Sequence, residues 1–297
     1  MLSLYIIGFI LGILSAVFFA CYMVPQKLIR MDNTTFLWVM SLGVVLTSLI
    51  PYLLTGCPHR ATPTQIGLSL LCGLVWCLGT LSFASAIGHI GLALATPIKN
   101  TTGVIGTLVG LVAFQEWKTT QPLLCLLGSA LIVAAAMFIG QTGPADVPRR
   151  SMAAGIFFSL VAAICYASYL YPMKLVVVAI GNWEFVPWMA AGIFLMATIA
   201  VLLRPNGLHD AFRYPPRDYA LASLGGVSWA IALYCLNGSL ASVGLAIAWS
   251  LAQLNTIPAV FFGIVLFHEI SPRKQWPKLL LGLLAATAGT IMLGLAK

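Results

Sequence analysis

Residues 4–28 read LYIIGFILGILSAVFFACYMVPQKL, an apolar run in which Lys27, near its end, is the only charged side chain. A helix needs about 20 apolar residues to cross the hydrocarbon core of a bilayer, so this run is long enough to span one. It is too long for the apolar core of a cleavable signal peptide, and no charged residue precedes it. We therefore expect it to be a transmembrane helix that is retained.

The rest of the chain repeats this pattern. Of its 297 residues, 61% are hydrophobic and only 7% are charged, against about 25% charged residues in an ordinary soluble domain. This composition excludes a soluble globular domain and a disordered chain. It predicts an all-α polytopic membrane protein with ten transmembrane helices, in the apolar runs 4–28, 36–54, 65–87, 92–115, 122–140, 153–179, 185–203, 219–240, 245–267 and 278–296.

The two halves of the chain resemble each other. Residues 141–151 (QTGPADVPRRS) form a polar linker between a first half, 1–140, and a second half, 152–297. Residues 20–28 match the second half at an offset of 147, and residues 73–116 match it at an offset of 153. Since each half has five runs, an odd number, the second half must enter the membrane from the opposite side. The sequence predicts two inverted five-helix repeats, a signature of alternating-access transporters.

The few charges predict the orientation of the chain. The formal net charge is +8, but no basic stripe interleaves with aromatic residues, which excludes nucleic acid as a partner. With ten helices, ten basic residues fall in or beside the loops on one side of the membrane and four on the other. The positive-inside rule makes the first side cytoplasmic. We expect both termini on the non-cytoplasmic side of the cell membrane.

Several short motifs resemble those of a known family. The segments ACYMVPQKL (20–28), GLVWCLG (73–79) and IGLALA (90–95) are similar to segments of the drug/metabolite transporter superfamily. YPMKL (171–175) and GGVSW (225–229) look like the corresponding segments of the second repeat. Within the superfamily, the chain most resembles the glucose/ribose porter group that includes the L-rhamnose–proton symporter. The resemblance covers nearly the whole chain and implies a sugar site between two inverted repeats.

Lys99 is a charged residue deep inside the fourth run. It lies in TPIKNTT (96–102), the most polar stretch of any predicted helix. A charge near the middle of a bilayer is costly, so we expect Lys99 to face a wet cavity or a partner. It then either binds an anionic or hydroxyl-rich substrate or couples transport to protons. A structural role remains the alternative, in which Lys99 donates to carbonyls that Pro97 frees in a broken helix.

The repeat partner of this stretch is WSLAQLN (249–255), which also carries amides and hydroxyls. Such groups suit sugar hydroxyls because amides both donate and accept hydrogen bonds. The alternative is that they bond only to each other between helices. Aromatic residues that coincide between the halves complete the predicted substrate-binding set, which is Lys99, Asn100, Thr96, Thr102, Trp249, Gln253, Asn255, Trp76, Trp229, Tyr22 and Tyr169.

Two glutamates also coincide between the halves. Glu116 and Glu269 each end an apolar run and precede a short polar turn. A carboxylate in this position can cap the N-terminus of the following helix or pair with a nearby base. We interpret both residues as structural, with a role in gating as the alternative.

The remaining residues narrow the class of function. No Asp or Glu falls within a predicted helix, which disfavours efflux of lipophilic cations. No paired acids, nucleophile–base couple or metal-ligand spacing predicts an enzyme, a metal or a cofactor. We predict an ion- or proton-coupled secondary transporter of a small polar metabolite, a sugar or sugar-like compound, acting as a monomer or homodimer. The alternatives are an exporter or exchanger of an anionic metabolite or amino acid, and a non-transporting receptor or assembly subunit.

Overall fold

Helices make up nearly all of the computed structural model, which describes residues 2–57, 59–140, 149–266 and 272–296 and has no strand among them. In chain order the helices are α1 (Leu2–Cys21), α2 (Val24–Leu28), α3 (Asn33–Leu54), α4 (Pro63–Lys99), α5 (Thr102–Leu108), α6 (Pro122–Gly140), α7 (Arg149–Ser168), α8 (Leu170–Ile180), α9 (Asn182–Leu202), α10 (Gly207–Ala211), α11 (Pro216–Val243), α12 (Leu245–Ala252), α13 (Thr256–Val265) and α14 (Pro272–Gly294). A π-helix (Val109–Ala113) follows α5, and two 3-10 turns lie at Glu116–Lys118 and Gln253–Asn255.

The described part of the chain contains seven segments that are long and apolar enough to cross a membrane. Thr102–Ala113 and Pro122–Phe138 are shorter apolar helices. Many large apolar side chains of these segments, such as Ile7, Leu46 and Val178, are exposed on the outer surface. In a membrane such side chains contact lipid instead of water. The predicted helical class is thus confirmed, and the chain is a multi-pass membrane protein whose long spans are Ser3–Leu28, Asn33–Leu54, Pro63–Leu92, Ser151–Ile180, Asn182–Leu202, Pro216–Val243 and Trp276–Gly294.

α6 ends at Gly140 and α7 begins at Arg149, so residues 149–151 of the predicted linker are helical. Residues 141–148 lie outside the described residues.

Side-chain caps fix the start of the second span. The Oδ1 atom of Asp32 accepts hydrogen bonds from the backbone N–H groups of Thr34 (3.0 Å) and Thr35 (3.1 Å), and Arg204 pairs with the same carboxylate. Burial raises the pKa of Asp32, but the hydrogen bonds from Thr35 and the charge of Arg204 outweigh it, so the pKa lies below its usual value. Asp32 thus joins the N-terminus of α3 to the loop that follows α9.

Two glycines split long helical stretches. Gly91 (φ 77°, ψ 163°) kinks α4, and Gly244 (φ 92°, ψ 166°) separates α11 from α12. Side chains are strained at such positive φ values, whereas glycine adopts them freely. Both glycines redirect the chain before a short helix that ends near the centre of the molecule.

α4 and α11 cross their neighbours at glycines. α4 packs along α7 and α9, and α11 packs along α1 and α3. A Cβ atom added at Gly73 would lie 2.1 Å from the carbonyl oxygen of Met189, and one added at Gly226 would lie 2.0 Å from that of Met40. These backbones touch because glycine has no Cβ, as small residues allow in membrane helix pairs. Between these helix pairs, Trp76 of α4 and Trp229 of α11 meet in the core, where both are buried.

Candidate functional site

Two helices are interrupted at the same place. α4 ends at Lys99 and α5 begins at Thr102, while α12 ends at Ala252 and α13 begins after the 3-10 turn Gln253–Asn255. Interrupted helices are tolerated inside a membrane where the freed backbone is buried in protein or lines a cavity. The break expected around Pro97 lies at residue 100, three residues after the proline. The 3-10 turn Gln253–Asn255 is its counterpart in the second half.

Asn100 joins the two breaks. Its Nδ2 group lies 3.0 Å from the carbonyl oxygen of Gln253, 2.6 Å from Oδ1 of Asn255 and 2.7 Å from Oγ1 of Thr256. The residue is fully buried, and it lines neither of the two cavities that lie beside the breaks. The polar side chains of the two breaks were predicted either to bind substrate or to bond to each other between helices, and the Nδ2 group of Asn100 does the latter.

A cavity of about 390 Å³ lies beside the breaks, and we call it the central cavity. Its lining comes from both halves of the chain, and all of the lining residues except Phe19 are buried. The predicted residues that line it are Lys99, Thr102, Trp249, Gln253, Asn255, Trp76, Trp229, Tyr22 and Tyr169.

Aromatic rings form the walls of the central cavity. Trp76 and Trp229 lie with their ring centroids 4.3 Å apart. Tyr22 lies 6.2 Å from Trp76, and Tyr169 meets Trp249 edge-on at 6.2 Å. Such walls offer flat apolar faces to a ring-shaped ligand.

The orientation of Trp249 is set by its neighbours on α5. Its Nε1–H donates to the carbonyl oxygen of Thr102 at 3.1 Å. A Cβ atom added at Gly106 would lie 2.1 Å from Cδ1 of the indole, so the ring lies directly against the backbone of that glycine. Thr102 therefore contributes to the site through its carbonyl group as well as through its position in the lining.

Tyr166 and Phe19 also line the central cavity, although the sequence did not single them out. The Tyr166 hydroxyl lies 2.9 Å from Oγ1 of Thr80. Each residue stands three positions before a predicted tyrosine, Tyr169 or Tyr22, and side chains with that spacing share a helix face. The two also coincide at the offset of 147 residues, so the repeat itself carried the signal.

Lys99 extends into the central cavity from the end of α4. It is only 7% exposed, and its ammonium lies 5.2 Å from the ring centroid of Phe83 and 5.6 Å from that of Tyr166. These distances fit cation–π contacts. In the part of the chain that the structure describes, no ion pair and no hydrogen bond involves its ammonium. Lys99 thus lines a cavity, as predicted, and among the described residues its ammonium does not donate to freed carbonyls.

A second, smaller cavity of about 230 Å³ adjoins the first, and we call it the side cavity. Lys99 and Asn255 line both cavities, whereas Thr96 lines only the side cavity. The Thr96 hydroxyl is buried and has no hydrogen-bond partner. The predicted residue Thr96 is therefore near the site but faces the smaller space.

Glu116 lies apart from both cavities. Its carboxylate accepts hydrogen bonds from the backbone N–H groups of Leu245 (2.7 Å) and Ala246 (2.8 Å), and it pairs with Lys174. The structure thus combines the two predicted roles, a cap and an ion pair. The capped helix is α12 of the other half, not the following helix α6. Glu269 lies outside the described residues.

Comparison with known proteins places this chain among transporters. A protein of Bacillus cereus named as a probable glucose uptake protein is 25% identical over 262 residues, which cover 86% of this chain and 87% of that protein. A Listeria monocytogenes protein named for sugar uptake is 25% identical over 239 residues, or 80% of this chain and 81% of its own length.

The fold has a solved counterpart as well. A crystal structure of a protein only 12% identical superposes with a TM-score of 0.74, covering 96% of this chain and 95% of that chain. The profile of the family described as sugar transport protein matches residues 48–296. This match spans most of the sequence, from α3 to α14, and the chain belongs to the sugar transport protein family.

Proposed function

We propose that this protein is a secondary transporter that moves a sugar across the cell membrane by alternating access. The observation that carries the proposal is the central cavity, which both halves of the chain line at the meeting point of two interrupted helices. Transporter sites of this kind are formed by discontinuous helices near the middle of the membrane.

The lining chemistry supports a sugar as the substrate. The rings of Trp76, Trp229 and Trp249 offer apolar faces, and the side chains of Gln253 and Asn255 offer amide donors and acceptors. A pyranose ring has apolar C–H faces and a rim of hydroxyls, so it fits both features. The names of the relatives, which refer to glucose uptake and sugar uptake, agree with this substrate class.

We propose ten transmembrane segments in two inverted repeats, 1–140 and 152–297. The seven long spans become ten when residues 93–113, 122–140 and 245–265 are added as shorter or interrupted spans. Gly91 and Gly244, which coincide at the offset of 153, have nearly the same backbone angles. The pairing of α4 with α7 and α9 is matched by that of α11 with α1 and α3. Both similarities support a common repeat.

This arrangement also supports the drug/metabolite transporter superfamily, and within it the glucose/ribose porter group, as the wider family. With ten segments, the excess of basic loop residues puts both termini on the non-cytoplasmic side. The sequence has no P-loop for ATP, so the driving force is an ion or proton gradient or the gradient of the sugar itself.

Uptake of radiolabelled glucose into proteoliposomes tests the proposal. Wild-type protein is expected to accelerate uptake over empty vesicles, and Gln253→Leu to lower the rate by about tenfold, because it keeps the side-chain volume but removes the amide. Gln121→Leu makes the same exchange at an exposed position before α6 and is expected to transport at the wild-type rate. If wild-type vesicles take up no sugar, the proposed function is wrong.

A further inference from the structure

We propose that the transported sugar is a sugar acid, whose carboxylate is bound by the ammonium of Lys99 and the hydroxyl of Thr96. This inference rests on the proposed function and deepens it by naming the class of sugar. The ring occupies the central cavity, and the carboxylate points into the side cavity. Lys99 is the charged residue that lines both spaces.

Lys99 has no counter-charge among the described residues. Its side chain is 93% buried, and the groups near its ammonium are the faces of Phe83 and Tyr166. Aromatic faces attract a cation, but they carry no negative charge that could neutralise it. Pairing with an opposite charge stabilises a buried ammonium, and an anionic ligand would supply the counter-charge that Lys99 lacks.

The described carboxylates offer no counter-charge to Lys99. None of them lines the central or the side cavity, and four of the five bond to arginine or lysine side chains or to backbone N–H groups. They are Asp32 with Arg204, Glu116 with Lys174, Glu184 with the N–H groups of Arg60 and Ala61, Asp210 with Arg213, and Asp218 in the first turn of α11. Within the described chain the anion must therefore come from the ligand.

The hydroxyl of Thr96 is a second hydrogen-bond donor beside Lys99. Thr96 precedes Lys99 by three residues on α4, which puts both side chains on one face of the helix. Its hydroxyl is buried without a partner and lines the side cavity together with Lys99. A buried hydroxyl left unpaired costs free energy, and a bound carboxylate removes this cost because it accepts from both groups.

The number of positive charges in the cavity lining distinguishes between two kinds of anionic sugar. Lys99 is the only Lys or Arg among the described residues that line the two cavities. One ammonium balances one carboxylate. A phosphate monoester carries a charge of about −1.5 to −2 at neutral pH, and one lysine would leave part of it uncompensated. The charge balance favours a sugar carboxylate over a sugar phosphate.

Binding of glucuronate, glucose and glucose 6-phosphate to the purified full-length protein, measured by calorimetry, tests the inference. Wild-type protein is expected to bind glucuronate at least about tenfold more tightly than glucose, as a charge-assisted hydrogen bond implies. Lys99→Gln is expected to remove this preference, weakening glucuronate binding at least about tenfold more than glucose binding. Lys118→Gln removes a lysine at the surface and is the matched control.

Thr96→Val keeps the shape of the side chain and serves if Lys99→Gln fails to fold. It is expected to weaken glucuronate binding several-fold more than glucose binding. Tighter binding of glucose or glucose 6-phosphate than of glucuronate in wild-type protein would overturn the inference. Equal losses for glucuronate and glucose in the Lys99 and Thr96 variants would also overturn it. Failure of all three compounds to bind and to enter proteoliposomes would instead refute sugar transport itself.

Discussion

Glu116→Ala is expected to lower the free energy of unfolding by about 3 to 5 kcal/mol, the usual result of removing one partner of a buried ion pair. The change leaves Lys174, whose side chain is 12% exposed, without its carboxylate. It also leaves the N–H groups of Leu245 and Ala246 without the acceptor that caps α12. Three segments from both halves lose a common contact.

Thermal unfolding of the detergent-purified protein, followed by tryptophan fluorescence, measures this effect. Asp210→Ala is the control, because Asp210 pairs with Arg213 at 3.0 Å on the surface and such pairs contribute about 1 kcal/mol or less. Adding Lys174→Met to Glu116→Ala is expected to recover part of the loss, since no unpaired charge then remains. An unfolding temperature of Glu116→Ala equal to that of wild-type protein would contradict a structural role for the carboxylate.

Gly73→Ala is expected to destabilise the protein by about 3 kcal/mol, since it overpacks a closely packed contact. The new Cβ would lie 2.1 Å from the carbonyl oxygen of Met189 and 2.7 Å from the backbone nitrogen of Ile193 on α9. Backbone atoms cannot rotate away as a side chain can. The two helices must therefore separate, and the central cavity, which has Trp76 of the same helix in its lining, must change shape.

Gly67→Ala is the matched control on the same helix. A Cβ atom at Gly67 meets nothing within 4 Å, so this variant is expected to be as stable as wild-type protein or slightly more stable, because alanine favours helix. The yield of monodisperse protein and its unfolding temperature compare the two variants. If Gly73→Ala and Gly67→Ala behave alike, α4 and α9 do not touch at this glycine in the membrane.

Much of the cavity lining could be predicted because residues 73–116 resemble the sequence 153 positions further along the chain. Trp76 and Trp229 were paired by the repeat, and they meet at the centre with ring centroids 4.3 Å apart. Lys99 was conspicuous because a charge is rare in an apolar run. Phe19 and Tyr166 were missed because an aromatic residue in an apolar run has no such contrast with its neighbours.

The local sequence around Asn100 and Asn255 could not predict that the two side chains point in different directions. Both are amides beside a helix break, and both were predicted to bind substrate. Asn255 lines both cavities, whereas Asn100 lines neither, and its Nδ2 group bonds to the opposite break. The direction of each side chain depends on the backbone turn at its own break and on the opposite break, which lies more than 150 residues away in the sequence.

By itself, the sequence determined that this protein is helical and resides in the membrane, because runs such as 4–28 are apolar for longer than a bilayer is thick. It also determined which polar residues lie deep inside the helices. Only the tertiary structure decided that Glu116 caps α12 and that Thr96 and Lys99 share the side cavity. Those relations depend on how closely helices from different halves approach, and that distance is set by packing at glycines such as Gly73, not by the periodicity of any one helix.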